Sequence, residues 1–175
     1  MNEKFFFWIT HKRPFVSLKY AMTLDGKIAA DGGDSKWITD VEARTYAHYL
    51  RKTHDAVIVG KNTVLQDDCE LTTRMVEGKN PVRIVLDSKC SLPVNSKILN
   101  GEARTIVAVG ETPLLTNLSA LKLLKNVEII KLPEHNGKLD LNALMQYLAE
   151  QEITSLLVEG GSEVHGAFLD AGFAE

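Results

Sequence analysis

A short apolar run constrains the fold of this chain more than any other feature. Residues 56–60 read Ala-Val-Ile-Val-Gly, so that three β-branched side chains follow one another with no polar residue between them. This composition is typical of a strand that is buried on both faces, as the strands of parallel sheets are. An alternating pattern predicts a strand from Phe15, and further apolar runs recur at residues 82–86, 105–109, 127–132 and 155–158.

Helical patterns lie between most of these runs. Residues 40–52 carry an apolar stripe with the spacing i, i+3, i+4, i+7, and Thr39 and Glu42 have the spacing of a capping box. Later stripes predict helices at residues 118–124, 141–148 and 164–171. Strands that alternate with helices form βαβ units with right-handed crossovers. The sequence therefore predicts an α/β domain with a mostly parallel central sheet flanked by helices.

The two ends of the chain do not fit this series. Residues 1–14 mix aromatic and basic side chains without alternation, and we interpret them as a linker or docking arm that precedes a domain formed by residues 15–175. The segment Gly172-Phe173-Ala174-Glu175 follows the last predicted helix, where such a series would continue with a strand. We therefore expect the sheet to lack its C-terminal strands, which would expose an edge and an apolar face.

Composition and charge argue against several classes of function. Lysine and arginine number 20 and aspartate and glutamate 23, which gives a net charge of −3 with no basic run suited to a nucleic acid. Cys69 and Cys90 belong to no CxxC pair and no zinc-ligand spacing, so we expect no metal site and a reduced, cytoplasmic protein. The apolar stretch at residues 5–9 is too short to span a membrane.

The segments that directly follow the strands are the candidates for ligand binding, because ligands of open α/β sheets bind beyond the carboxyl ends of the strands. Three of these segments are rich in polar residues or glycine: residues 60–68, 87–89 and 159–162. In the last, Gly160 and Gly161 would let backbone N–H groups approach a phosphate at the start of a helix. An equally good interpretation is a tight turn, because the pair is not a GxGxxG fingerprint.

Charged and aromatic residues near these segments admit two interpretations each. Glu159 ends an apolar strand, where a cation such as Lys19 could tune its pKa, but Lys19 also fits an ordinary solvent-facing strand position. Arg51 and Arg74 carry forked donors suited to a phosphate, and both could equally be surface charges. Trp37 could stack on a flat ring or pack as a lid. The five histidines show no triad or metal spacing and are interpreted as structural. Cys69 lacks the local signature of a nucleophile.

Four segments, taken in order, resemble one known family. They are LKYAMTLDGK at residues 18–27, SKWIT at 35–39, DDCELTTR at 67–74 and VEGG at 158–161. Through them the chain, from about Arg13 to Glu175, is similar to the reductase domain of the bifunctional deaminase/reductase of riboflavin biosynthesis. The resemblance implies a dihydrofolate-reductase-like fold and NADPH as cofactor. It also implies reduction of the ribosyl group of 5-amino-6-(5-phosphoribosylamino)uracil to the ribityl form.

The resemblance implies roles for individual residues as well. Lys19 and Glu159 become the candidates for positioning the reacting sugar and for proton transfer. The residues implied to contact the substrate are Ser35, Arg51, Leu71, Arg74 and Glu159. The residues implied to contact the cofactor are Ala21, Trp37, Thr63, Asp67, Ser88, Gly161, Ser162, Glu163, Val164, His165, Gly166 and Ala167.

The sequence also departs from the family pattern. Cys69 stands where the family usually has a proline after the paired aspartates, which would loosen the loop that carries Leu71 and Arg74. The zinc deaminase signature is absent, so the resemblance implies that a deaminase domain lies elsewhere in a longer parent chain. The sequence leaves open whether the protein forms a homodimer.

Two alternatives stand beside this reductase. One is a dihydrofolate-reductase-like enzyme that acts on another pterin or pyrimidine, whose cofactor segments would look the same. Arg51 and Arg74 favour a phosphorylated substrate over that alternative. The other is a non-catalytic nucleotide-binding module. The presence of Lys19 and Glu159 argues against this alternative.

Overall fold

The computed structural model of the chain describes residues 2–23, 25–27 and 40–175. Three predicted residues lie outside this part: the substrate contact Ser35, the cofactor contact Trp37 and the capping residue Thr39. The described strands form a six-stranded sheet and a separate two-stranded hairpin. They are β1 Phe15–Leu18, β2 Ala56–Gly60, β3 Val82–Leu86, β4 Thr105–Val109, β5 Val127–Lys131, β6 Glu134–His135, β7 Lys138–Leu139 and β8 Ser155–Val158.

The sheet confirms the parallel architecture expected from the apolar runs. Its strand order is β1-β8-β2-β3-β4-β5, and every pair of neighbours described within it is parallel. Each of the strands predicted from the sequence is present and begins at the predicted residue. The antiparallel hairpin of β6 and β7 is not predicted by the sequence analysis.

The described helices are α1 Glu3–His11, α2 Val41–Thr53, α3 Lys61–Asp67, α4 Leu115–Leu121, α5 Leu141–Glu150 and α6 Ser162–Asp170. In this part of the chain, no helix combines the length and the apolar character that crossing a membrane would require. The helices predicted near α2, α4, α5 and α6 are confirmed, whereas α1 and α3 are not anticipated. Residues 60–68, one of the candidate ligand-binding segments after the strands, are mostly helical, since α3 spans Lys61–Asp67.

The start of α2 also differs from the prediction. Asp40 is the N-cap, and its carboxylate accepts a hydrogen bond from the backbone N–H of Ala43 at 2.8 Å. The N-cap is therefore one residue later than the predicted Thr39. Aspartate is among the preferred N-cap residues, because its short carboxylate reaches the free N–H groups of the first turn.

The core lies on both faces of the sheet, because successive strand residues point to opposite sides. In β2, Ile58 faces a cluster completed by Leu148 of α5 and Phe168 of α6. Its neighbours Val57 and Val59 face a second cluster, on the opposite side. All three β2 side chains are fully buried, which explains why the run tolerates no polar residue.

The parallel pairing brings the carboxyl ends of several strands to one edge. Leu18 of β1 pairs with Val158 of β8, and Ile58 of β2 pairs with the same Val158. The residues that follow these strands therefore lie side by side, although they are far apart along the chain. Lys19 continues the ladder, since its backbone N–H donates to the Val158 carbonyl at 3.0 Å.

A buried arginine ties together loops at the opposite, amino-terminal end of the sheet. Arg83 in β3 has no exposed surface, and its guanidinium donates to Thr105 Oγ1, Asn100 Oδ1 and the carbonyls of Glu70 and Ala103 at 2.9 to 3.2 Å. A buried charge is tolerated only where its donors are satisfied, as they are here. Burial lowers the pKa of Arg83.

We expect Arg83→Met to lower the free energy of unfolding by about 3 kcal/mol or more, because each buried acceptor that loses its donor costs roughly 1–3 kcal/mol. Arg104→Met is the matched control. Arg104 is a neighbouring, half-exposed arginine that pairs with Glu128 on the surface. Its loss should cost no more than about 1 kcal/mol. Urea unfolding of both variants provides the measurement, and equal losses would contradict the role assigned to Arg83.

Candidate functional site

A cleft of about 1290 Å³ opens at the carboxyl edge of the sheet. Its walls come from the ends of β1, β8, β2 and β3, from one side of α2, from the start of α6 and from the β6–β7 hairpin. This is the edge at which α/β sheets bind their ligands. Among the described residues, no group of histidine, cysteine, aspartate or glutamate side chains is arranged to hold a metal ion.

The cleft gathers most of the residues singled out from the sequence. Lys19, Thr63, Arg74 and Glu159 all line it, although they come from four separate segments. Ser35 and Trp37 lie outside the described residues, and Gly166 is not part of the lining. The remaining predicted residues in the lining are Ala21, Arg51, Asp67, Leu71, Ser88, Gly161, Ser162, Glu163, Val164, His165 and Ala167. Their binding roles stay predictions.

The electrostatic centre of the cleft is a two-pronged ion pair between Arg51 and Glu159. Arg51 Nε donates to Glu159 Oε1 at 2.6 Å, and Arg51 Nη2 donates to Glu159 Oε2 at 2.7 Å. Only 12% of the arginine side chain and 5% of the glutamate side chain are exposed. Burial alone would lower the pKa of Arg51, but the hydrogen bonds and charge of Glu159 outweigh it and raise that pKa.

This pair revises the partner that the sequence analysis assigned to Glu159. The cation that holds Glu159 is Arg51 of α2, whereas the described structure records no carboxylate within 4.0 Å of the Lys19 ammonium. Lys19 therefore lines the same cleft as Glu159 without forming an ion pair with it. Sequence spacing could not distinguish the two cations, because both are distant from Glu159 along the chain.

The two arginines predicted to bind a phosphate differ in how many of their hydrogen-bond donors are already in use. Arg51 uses its fork on Glu159, and its Nη1 donates to the Thr72 carbonyl at 3.1 Å. Arg74 is more than half exposed and makes only a loose contact of 3.6 Å with Glu70. Of these two guanidiniums, Arg74 has the donors that are open to an incoming anion.

The loop at residues 69–74, which carries Arg74, is held by side chains from outside it. Arg83 donates to the Glu70 carbonyl, and Asn80 Oδ1 accepts from Thr73 N and Thr73 Oγ1 at 2.9 and 3.0 Å. Leu71 is buried with a positive φ of 54°, a conformation that bulky residues rarely adopt. Hydrogen bonds from residues outside the loop therefore hold it in place.

The Gly160-Gly161 segment is a tight turn whose geometry requires glycine. A Cβ on Gly160 would lie 2.7 Å from Val59 Cγ1, and Gly161 has a φ of +73°. The tight-turn interpretation is thus supported. The turn also begins α6 without any side chain that caps the helix, so the first N–H groups of α6 are suited to an anionic group. The same segment therefore fits the diphosphate of a dinucleotide as well.

Histidines around the cleft make specific hydrogen bonds. His165 Nε2 bonds the Lys19 carbonyl at 3.1 Å, Nδ1 bonds the Gly161 carbonyl at 3.0 Å, and the ring stacks on Tyr20. His48 Nδ1 bonds the Thr72 carbonyl at 2.6 Å. These contacts agree with the structural interpretation of the histidines, and for His165 they also join the β1 end to the start of α6.

Cys69 lines the cleft beside Asp67, but its environment does not favour a thiolate. Burial is the largest cause and the charge of Asp67 adds to it, so that the pKa of Cys69 rises to about 12. A protonated thiol is a poor nucleophile. The structure thus agrees with the sequence-based exclusion of a cysteine nucleophile.

Several residues of the cleft were not found from the sequence. His48 is on α2, and Gly137, Lys138 and Leu139 are on the β6–β7 hairpin. The hairpin has a signal that sequence analysis can use: Asn136-Gly137 is a typical two-residue hairpin turn, and both residues have positive φ. No local signal marks His48, whose partner lies 24 positions away.

Comparisons with known proteins show which proteins this chain is similar to. The model of the RibD C-terminal domain family matches residues 14–175. The riboflavin biosynthesis protein RibD of Aquifex aeolicus is 43% identical over 175 residues, which cover 99% of this chain and 47% of that protein. A 2,5-diamino-6-ribosylamino-4(3H)-pyrimidinone 5′-phosphate reductase of Methanothermobacter thermautotrophicus is 39% identical over 166 residues, which cover 93% of this chain and 74% of that protein.

A solved structure gives the same result for the fold. The diaminohydroxyphosphoribosylaminopyrimidine deaminase/5-amino-6-(5-phosphoribosylamino)uracil reductase of Thermotoga maritima superposes with a TM-score of 0.78 and 41% identity, over 97% of this chain and 45% of that one. The fold is dihydrofolate-reductase-like, as expected. The chain spans about half the length of the RibD relatives it matches. A reductase of this kind is consistent with a nicotinamide cofactor.

The buried histidines lead to a prediction about pH and stability. Burial, the largest cause in both, lowers the pKa of His48 and of His54, which is also on the α2 side of the sheet. The unfolded chain therefore binds more protons than the folded chain below about pH 6.5, the ordinary histidine value. We expect the free energy of unfolding to fall as the pH drops from about 7 to 5.

The double variant His48→Asn, His54→Asn isolates this effect, because asparagine keeps a donor near the position of Nδ1 but does not titrate. Its free energy of unfolding should vary less between about pH 7 and 5 than that of the parent protein, as measured by urea unfolding at several pH values. An unchanged slope would show that other groups cause the pH dependence.

Proposed function

Because this chain belongs to the RibD C-terminal domain family, we propose that it reduces the ribosyl group of 5-amino-6-(5-phosphoribosylamino)uracil to the ribityl form, with NADPH as the reductant. The observation that carries the proposal is the cleft at the carboxyl edge of the sheet. It combines a lysine that has no carboxylate partner among the described residues, a buried arginine–glutamate pair and an exposed arginine. A sugar phosphate needs these groups: a proton donor, an acceptor for hydroxyls and a cation for the phosphate.

We assign the reductase unit to residues 15–175, with residues 1–14 as the arm that would connect it to a deaminase half like the one named for the Thermotoga protein. A cytoplasmic location is part of the proposal, and it is consistent with the free thiols Cys69 and Cys90. The arm includes α1, whose Lys4 ammonium donates to the Thr53 carbonyl at the end of α2.

The residues of the cleft fit a dinucleotide along the sheet edge. Gly161 and the uncapped start of α6 would hold the diphosphate, with Thr63 beside them and Ser88 further along the edge at the end of β3. Thr63 Oγ1 lies so close that a Cβ on Gly161 would be 3.2 Å from it. When bound, the nicotinamide would supply a hydride to C1 of the ribose.

Reduction at C1 requires the sugar ring to open. The bond between C1 and the ring oxygen breaks, the oxygen takes a proton, and the bond between C1 and the amino nitrogen becomes an iminium that can accept a hydride. We assign the proton to the Lys19 ammonium, which lines the cleft and has no carboxylate partner in the described structure. An ammonium without an ion-pair partner can turn toward a ring oxygen.

Glu159 is better suited to binding than to proton donation. Arg51 donates to both of its oxygens, so that Glu159 acts as a hydrogen-bond acceptor at this point of the cleft. Each carboxylate oxygen retains a second lone pair that can accept from a sugar hydroxyl. We therefore propose that Glu159 orients the sugar, and that Arg74 binds the 5′-phosphate.

We expect Lys19→Met to lower kcat by at least about 100-fold while changing the Kd for NADPH less than about threefold, because general acid catalysis contributes roughly 10²–10⁴-fold. Loss of NADPH absorbance with enzymatically deaminated substrate measures turnover. Lys131→Met, an exposed lysine on β5 outside the cleft, is the control and should retain activity. Full turnover in Lys19→Met would remove the lysine from the mechanism.

Glu159→Gln should also lower turnover much more than NADPH affinity. Glutamine has one acceptor oxygen in place of two, so it cannot accept hydrogen bonds from Arg51 and from the sugar as the carboxylate does. The variant leaves a buried arginine without its anion, so its melting temperature should be measured alongside. Turnover equal to that of the parent protein would exclude Glu159 from the reaction.

Arg74→Gln tests the phosphate assignment. It should raise KM for the phosphorylated substrate by about tenfold or more, with little effect on the dephosphorylated analogue, since only the former has a dianion to bind. Arg104→Gln, remote from the cleft, is the matched control. Equal effects on both substrates would contradict the assignment.

The same assay separates the competing reactions. Oxidation of NADPH with the non-deaminated diaminopyrimidinone phosphate, and not with the uracil, would favour the reaction named for the Methanothermobacter relative. Oxidation with a pterin would favour a different reductase. Binding of NADPH without turnover of any of these substrates would favour a nucleotide-binding module.

A further inference from the structure

A buried histidine and the central arginine bind the same carbonyl oxygen. His48 is only 4% exposed, and its Nδ1 bonds the Thr72 carbonyl at 2.6 Å. Arg51 Nη1 donates to the same oxygen at 3.1 Å. His48 and Arg51 are three residues apart on α2, so they lie on one side of the helix. Because a carbonyl only accepts, Nδ1 of His48 carries the proton.

This shared oxygen connects the loop at residues 69–74 to the ion pair. Arg51 makes its other hydrogen bonds to Glu159, so the position of the Thr72 carbonyl helps to set the position of the guanidinium. We propose that His48 is a positioning residue for the reduction: through Thr72 it holds the loop and the Arg51–Glu159 pair in the arrangement that binds the sugar phosphate. The inference rests on the function proposed above and deepens it.

The loop needs such a tether because its own conformation is strained. Leu71, directly before Thr72, has a φ of 54°, a left-handed conformation that is unfavourable for a bulky residue. The Thr72 hydroxyl is buried and has no partner among the described residues. Thr72 is therefore held through its carbonyl, and the donors to that carbonyl are His48 and Arg51.

Burial and, after it, the positive charges of Arg51 and Arg74 lower the pKa of His48 and favour a neutral ring. The hydrogen bond to Thr72 and the carboxylate of Glu159 act in the opposite direction but do not outweigh these causes. A proton on His48 would add a further positive charge to this group. In its neutral form the ring supplies one directed donor and does not compete with the arginines for anions.

His54 provides a matched comparison. It is also buried, at 6% exposure, and its Nδ1 bonds the Leu50 carbonyl at 2.7 Å while Nε2 bonds Ser17 Oγ at 2.9 Å. These bonds lead to its own helix and to β1, and His54 does not line the cleft. Its replacement should disturb packing to a similar degree without reaching the loop.

Three variants of the full chain test the proposal: His48→Phe, His48→Asn and His54→Phe. Phenylalanine fills the ring volume without a donor, whereas asparagine places an N–H near the position of Nδ1. We expect His48→Phe to lower kcat/KM for the sugar phosphate by roughly 10- to 100-fold, the scale of a misplaced binding group, with the Kd for NADPH changed less than about threefold. His48→Asn should recover most of the loss.

His54→Phe should lower the melting temperature about as much as His48→Phe while leaving kcat/KM within about threefold of the parent value. Equal losses of kcat/KM in the two phenylalanine variants, or no loss in His48→Phe, would overturn the proposal. So would an asparagine variant as impaired as the phenylalanine variant.

Hydrogen exchange without substrate separates this inference from the proposed reaction. His48→Phe should speed exchange of the amides at residues 69–74, and His54→Phe should not. Unchanged exchange in His48→Phe overturns the positioning role whatever the activity. Absence of turnover in the parent protein, with exchange altered as expected, overturns the proposed reaction instead and leaves His48 as the tether of the loop.

Discussion

The parallel pairing of the central sheet is the constraint on which the candidate site depends. The carboxyl ends of parallel strands lie at the same edge of the sheet. The residues that follow each strand therefore meet at that edge. Leu18, Ile58 and Val158 lie side by side in the ladder, and the residues after them form the floor of the cleft. The inner strand β2 carries no polar side chain, because both of its faces are buried.

On this edge, one buried ion pair organises the chemistry. Arg51 and Glu159 are 108 positions apart, and their contact joins α2 to the end of β8. Taking both charges out of water is costly, and two parallel hydrogen bonds offset that cost only while the geometry is kept. The third donor of Arg51 extends the arrangement to Thr72, where His48 also binds. The proposed sugar site and the loop at residues 69–74 are thus parts of one hydrogen-bonded network.

Sequence patterns predicted the strands well and the short helices poorly. The buried strands are continuous runs of apolar, largely β-branched residues, so that a few residues are enough to recognise each strand. α3 has only seven residues, of which Val64 alone is buried, and this is too short for a helical stripe to appear. α1 contains no buried residue and an almost unbroken apolar run. Its helix is supported by contacts that sequence cannot show, such as the packing of the Phe7 ring against Phe15 at 5.5 Å.

The sequence by itself determined the α/β class, the strand positions and the segments from which the cleft is built, because burial on both faces and strand-end chemistry are local properties. It also carried the motifs that identify the family. The tertiary structure alone decided which charges meet. The sequence suggested Lys19 as the cation for Glu159, and only the folded arrangement, in which α2 lies beside the end of β8, shows that the partner is Arg51. The same packing directs His48 to the Thr72 carbonyl, since a hydrogen bond between distant segments exists only once the sheet has brought them together.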